Sequence, residues 1–159
     1  MPYKPNQIDE EERSKLYNLM WVASAASALN LANAFLGADN IIVGLAWGFT
    51  MTGLFLAAFG SYADEFMRGR LEIAMRFAMG FLVLFLFANW IVNVADIAHS
   101  AGYALASEET QTGASQFIVF WTDAQTLTAF TAFVFYAGYG FAVVRERWDG
   151  LPFFTGEAS

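Results

Sequence analysis

Residues 41–63, 77–95 and 124–144 contain no charged side chain, and 16–38 is equally free of charge though richer in Ala, Ser and Asn. Each stretch is long enough, at about 1.5 Å per residue, to cross a hydrocarbon core of roughly 30 Å as an α-helix. A soluble domain of this length would spread its ionic groups along every element rather than gather them between apolar runs. Composition agrees, since 57% of the 159 residues are hydrophobic and 18% aromatic, against 14% charged. The expected fold is all-α: a polytopic membrane protein whose four transmembrane helices form an antiparallel bundle, a single domain over residues 1–159. The helices are placed at about 10–37, 41–62, 71–100 and 122–145, with a turn at 63–70 and a longer loop at 101–121.

Local signals set the ends. Asp9 and Glu12 have the spacing of an acidic cap and first turn, and Gly37 stops the first helix. The connector GADN is short, so helices one and two are expected to be antiparallel neighbours. Thr122 and Asp123 offer an N-cap for helix four, and the charged turn ERWDGLP ends it.

Orientation follows from the basic residues. Lys4, Arg13 and Lys15 precede helix one, Arg68, Arg70 and Arg76 surround the second connection, and Arg145 and Arg147 follow helix four. Those are all eight, and every one falls at the same end. The opposite end carries Asp39, Asp96, Glu108, Glu109 and Asp123 and no Lys or Arg. The positive-inside rule then puts both termini in the cytoplasm and the protein in the cell (inner) membrane. The segment MPYKPNQIDEEERSK lacks the charge and hydropathy pattern of a signal peptide, so the first apolar run is expected to remain as a helix.

Several chemistries are excluded at once. With no cysteine there is no thiolate ligand, thiol nucleophile or disulfide. A net charge of −7, with no basic cluster longer than RGR, argues against nucleic acid as a partner. No Gly-rich phosphate loop, Ser-His-Asp set or redox dithiol is present, so the chain is not expected to be an enzyme by itself.

Helix association inside lipid relies on close packing of small residues. Ala23, Ser27, Ala28 and Ala32 provide them on helix one, Gly44, Gly48, Gly53, Ala57 and Gly60 on helix two, and AGYG at 137–140 on helix four. Phe77, Phe81, Phe85 and Phe87, with Phe130, Phe133 and Phe135, exceed what four thin helices can bury. They fit contact with lipid, with partner subunits, or with an apolar ligand such as a quinone, a carotenoid or a bound lipid. Trp47, Trp90 and Trp121 towards one side, with Trp21 and Trp148 towards the other, fit interfacial anchoring.

The polar groups within these apolar runs are the candidate site. At about 100° per residue, Asn89, Asn93, Asp96 and Ser100 fall within about 60° of one another, and His99, the chain's single histidine, lies about 60° beyond Asp96. Asn30 and Asn33 on helix one, and Asp123, Gln125, Thr128 and Thr131 near the start of helix four, share the same outer half. Within a core of 77–95, Asn89 lies about 5 Å and Asn93 about 10 Å outward of the centre. Amides at that depth call for partners in protein or water, whereas Asp96 and His99 stand at the hydrocarbon boundary. Helix two is nearly devoid of polar groups, so any path must run between helices one, three and four or between protomers, and partners for Asn89 and Asn93 are expected from helices one and four. The expected polar cluster is thus Asn30, Asn33, Asn89, Asn93, Asp96, Gln125 and Thr128. Asp96, His99 and Asp123 form a weak metal candidate with oxygen and nitrogen donors but no His-x-x-x-His or Glu-x-x-His spacing. At the basic end, Asp64, Glu65, Arg68, Arg70, Glu72 and Arg76 read as a solvated turn at the headgroups or a docking surface.

Three functions are compatible with these residues. The first is an integral, accessory subunit of a larger membrane assembly of the energy-transducing or monooxygenase type, its partners being lipid and other membrane subunits or copies of itself. The second is a small homo-oligomeric channel or transporter whose outer polar vestibule attracts cations or protons. The third is a membrane enzyme or cofactor carrier built on Asp96, His99 and Asp123.

Overall fold

The computed structural model describes residues 10–59, 65–106 and 123–149, with backbone alone at positions 93, 96–106 and 149. All regular structure in the described residues is helical: α1 (Glu10–Leu36), α2 (Ile41–Phe59), α3 (Glu65–Ala106) and α4 (Ala124–Asp149). Each of the four contains a segment long and apolar enough to cross a membrane, the property of a multi-pass membrane protein.

The ends of α1 and α4 follow the local chemistry. Asn33 closes α1: its carbonyl accepts from Gly37 N at 2.8 Å and its Oδ1 accepts from Ala38 N at 3.0 Å. Gly37 itself adopts φ +64°, which costs a residue without Cβ nothing and satisfies carbonyls the helix would leave open. Three residues on, Asn40 caps α2 by accepting from Val43 N at 3.1 Å. Asp123 caps α4, its Oδ2 accepting from Thr126 N at 2.9 Å and from the Thr126 hydroxyl at 3.1 Å. Asp9, expected at the start of α1, and Thr122 lie outside the described residues.

Three boundaries differ from the expected ones. α3 begins at Glu65, so most of the segment expected to turn at 63–70 is helical. Its charges and Gly69 disguise a continuous stripe: Met67, Leu71, Ala74 and Ala78 are buried at helical spacing. α3 also continues past Ser100 to Ala106, and α4 runs beyond Arg145 to Asp149. The physical reason is common to both. The edge of the hydrocarbon is where polar residues begin, but a helix whose backbone bonds are already satisfied has no need to stop there.

Contacts define the directions. α1 packs along α2 and α4, and α3 packs along α4. Ala23 approaches Gly53 and Asn30 approaches Thr50, so α1 and α2 run in opposite senses. Trp21 meets Tyr139 while Phe35 meets Phe130, and Phe77 meets Phe141 while Phe81 meets Phe130, so α4 opposes both α1 and α3. Phe130 lies between Phe35 and Phe81, edge-on to the first and stacked on the second.

The core sits towards the end where α1 and α3 begin. Met20 and Ala23 of α1, Met67, Leu71, Ala74 and Ala78 of α3, and Phe135, Tyr136 and Tyr139 of α4 form one buried cluster. Two glycines set how closely the helices approach. A Cβ on Gly138 would lie 2.9 Å from Phe77 Cβ and 3.1 Å from Ala74 Cα. One on Gly53 would press on the Tyr136 hydroxyl and lie 2.8 Å from Ala23 Cβ. Gly44 and Gly48, by contrast, are exposed and have nothing within 4 Å.

Candidate functional site

Among the polar residues expected to cluster, Asn30, Asn33, Asn89 and Thr128 make described hydrogen bonds to groups outside the set. Asn30 is 2% exposed, and its Nδ2 donates to Thr50 Oγ1 at 3.0 Å. The partner therefore comes from α2, the helix nearly devoid of polar groups. A threonine in the run AWGFTMTG is easily passed over, because its methyl group suits an apolar helix as well as its hydroxyl suits a bond. Thr50 is fully buried, and its backbone carbonyl also accepts from the Tyr136 hydroxyl of α4 at 2.8 Å. One residue thus joins three helices, through its side chain to α1 and through its main chain to α4. Asn30 Oδ1 is buried and has no partner among the described residues.

Three of the other positions make bonds within their own helix or at its end. Asn33 is the cap of α1 described above. Asn89 Nδ2 donates to the Phe85 carbonyl at 3.0 Å, one turn back on its own helix. The Thr128 hydroxyl donates to the Ala124 carbonyl at 2.6 Å and the Thr131 hydroxyl to the Leu127 carbonyl at 2.8 Å, both back-bonds that satisfy a hydroxyl without leaving the helix. Gln125 is exposed. Asn93, Asp96 and His99 belong to α3 by their backbone, and their side chains lie outside the described ones. Of the three weak metal candidates, Asp123 is engaged in capping α4. Among the described residues no group of three or more His, Cys, Asp or Glu could hold a metal ion.

A second polar centre lies at the basic end. Arg70 donates from Nε and Nη2 to Glu146 Oε2 at 2.8 and 2.5 Å, tying α3 to α4 across 76 positions of sequence. The arginine side chain is 19% exposed and the glutamate 40%, so this pair is more sheltered than Lys15–Glu11 at 70% and 74%. The same guanidinium stands 5.2 Å from the ring centroid of Tyr17 on α1. Three helices therefore meet on one arginine. In front of it opens a cleft of about 620 Å³ between the first turns of α1 and α3. Glu10, Arg13, Ser14, Tyr17 and Asn18 line it from α1, and Phe66 with Arg70 from α3.

Neither Arg70–Glu146 nor Thr50–Tyr136 was anticipated from the sequence, yet a signal for the first exists. Arg70 stands three residues after Met67 and four before Ala74. Glu146 stands four after Ala142 and seven after Tyr139. All four of those neighbours are buried. Opposite charges at seam positions of two helices mark a cross-helix pair. For Tyr136 no comparable signal exists, since its acceptor is a main-chain carbonyl.

Comparison of the chain with protein-family models, with curated proteins and with solved structures finds no match.

Proposed function

We propose that the chain is an integral subunit of a larger membrane assembly, crossing the inner membrane as an antiparallel four-helix bundle with both ends in the cytoplasm. The placement of all eight basic residues at one end supports the orientation. The observation that carries the assembly reading is the outward face of α2. Gly44 and Gly48 are four residues apart and exposed, and a Cβ added at either would meet nothing within 4 Å, whereas Gly53 on the same helix is used for close packing within the chain. Small residues one turn apart let two helix backbones come together, and lipid gains little from such a notch. Ile41, Leu45 and Phe55 flank it at 80%, 60% and 66% exposure. Only 17% of the apolar windows of α2 and α3 is buried within the chain, against 33% and 39% for α1 and α4. The two outer helices thus hold most of the surface available to other subunits or to copies of this chain. Of the polar groups that a conduction path would draw on, Asn33 and Asp123 are engaged in caps, Thr128 in a back-bond and the Asn30 Nδ2 in the rung to Thr50.

The test is native mass spectrometry after gentle solubilisation, with the wild type beside Gly44→Leu and Gly48→Leu. The wild type is expected in a complex of fixed stoichiometry, and both leucines should release it without lowering the thermal stability of the chain itself. A wild type that is always monomeric, or complexes indifferent to leucine at both positions, would sink the reading.

A further inference from the structure

We infer that the cleft between the first turns of α1 and α3 holds the headgroup of a phosphoethanolamine lipid, phosphate towards Arg13 and Arg70 and ammonium towards Glu10. This assignment does not depend on the assembly reading, nor on which face of the membrane the basic end occupies. The cleft lies where two membrane-spanning helices begin, which is headgroup level in either orientation. Its volume, about 620 Å³, is within the roughly 300–1,000 Å³ of small-molecule clefts.

The charges select the headgroup. Two guanidiniums face the cleft, but Arg70 is already matched by Glu146, and Glu10 lines the same wall as Arg13. Counted together, Arg13 and Arg70 balance Glu10 and Glu146. A headgroup with phosphate alone would satisfy the arginines and set its charge against Glu10. A zwitterion meets both signs. The hydroxyls of Ser14 and Tyr17 and the amide of Asn18 add neutral donors for phosphate oxygens beside the charged ones. Tyr17 is held in place by its cation–π contact with Arg70, so this part of the wall is ordered before any ligand arrives. One turn further along α1, Trp21 leaves half its surface open at the level where the acyl chains of such a lipid would start. Phosphatidylcholine carries the same two charges, but its quaternary ammonium has no N–H to donate to a carboxylate. The preference should therefore run to ethanolamine over both choline and glycerol headgroups.

The full chain, purified and delipidated in mild detergent, is offered phosphatidylethanolamine, phosphatidylcholine and phosphatidylglycerol of identical acyl chains. Bound lipid is counted by native mass spectrometry. Ethanolamine lipid should be retained about threefold or more over either competitor, the scale of one charge-matched contact at an interface. Glu10→Gln should erase the preference over choline lipid, and Arg13→Ala should lower retention of every phospholipid, with Arg13→Lys restoring part of it. Both positions are exposed, so folding does not depend on them, and the wild-type competition decides the matter without any variant. Equal retention of the three lipids, or a preference for phosphatidylglycerol, overturns the inference. So does soluble O-phosphoethanolamine displacing the lipid at equal concentration, because the site would then belong to a free phosphate compound rather than to a membrane lipid.

Discussion

Replacing Gly53 by alanine tests the packing at the centre of the protein. The added Cβ would press on the Tyr136 hydroxyl and stand 2.8 Å from Ala23 Cβ, and both neighbours are buried. Ala23 belongs to a helix backbone and gives way only if α1 moves as a body. The tyrosine tip is softer, but moving it breaks its 2.8 Å bond to the Thr50 carbonyl. Overpacking of this kind costs about 1–3 kcal/mol. Exchange of glycine for alanine in a helix returns up to about 1 kcal/mol, so the net loss should be roughly 0.5–2 kcal/mol. At Gly44 and Gly48, where nothing lies within 4 Å, the same exchange brings only the favourable part and should be neutral to stabilising in the isolated chain. Tyr136→Phe removes both the bond, worth about 1 kcal/mol, and the atom the new methyl strikes. In that background Gly53→Ala should cost less by about 0.5 kcal/mol or more, the remainder being the contact with Ala23. Tryptophan fluorescence during unfolding in mixed micelles reads the cycle, and a loss of 1 kcal/mol corresponds to a melting shift of about 2–4 °C in a chain of this size. The reasoning is refuted if Gly53→Ala is as stable as Gly44→Ala, or if its cost is the same with and without the tyrosine hydroxyl.

Thr50→Val keeps the shape of the side chain but removes the acceptor of Asn30, and should cost about 1–2 kcal/mol in the same assay. Adding Asn30→Leu should then cost less than it does alone, because the stranded amide is gone. Asp123→Ala should lower stability by about 0.5–2 kcal/mol and speed hydrogen exchange at the Thr126 amide before any other in α4. Uniform acceleration along the helix would count against the cap. A cycle of Arg70→Gln and Glu146→Gln should give a coupling of about 1 kcal/mol that survives high salt, whereas Lys15 with Glu11 should give a few tenths at most, lost in salt. Equal couplings for the two pairs would show that the shelter of Arg70 is immaterial.

How much of this was legible in advance depended on distance along the chain. The four apolar helices, Gly37 as the end of α1 and Asp123 as a cap of α4 are local matters of charge, turn chemistry and period, and the sequence carries them openly. The start of α3 at Glu65 was hidden because charge density was read as a turn, although Met67 and Leu71 continue the buried stripe. The interhelical bonds were harder. Asn30 announced its need for a partner by its residue type and depth, but nothing in the segment around Thr50 distinguishes it from Thr52. The latter is exposed and merely bonds back to the Gly48 carbonyl. Which of two threonines meets the amide is decided by the rotation of α2 about its axis, and that rotation is set by Gly53 resting on Ala23. Asn89 and Thr128, expected to look across the bundle, bond to carbonyls of their own helices, since a lone hydroxyl or amide can be satisfied by its own backbone at little cost, while the side chains of Asn93 and Asp96 lie outside the described ones.

The position of Thr50 also bears on the order in which the protein is made. The first two helices leave the ribosome as a hairpin whose Asn30–Thr50 rung can already form. The Thr50 carbonyl, and the face of α1 bearing Met20 and Ala23, must wait for Tyr136 and Tyr139, which arrive with α4. α3 likewise meets its main neighbour only in α4. Until α4 emerges, then, α1 and α2 have each other while α3 lacks its main neighbour, and α4 is the keystone that joins them. A premature stop before α4 should therefore yield an inserted but coreless fragment, the state from which quality-control proteases are best able to extract a chain.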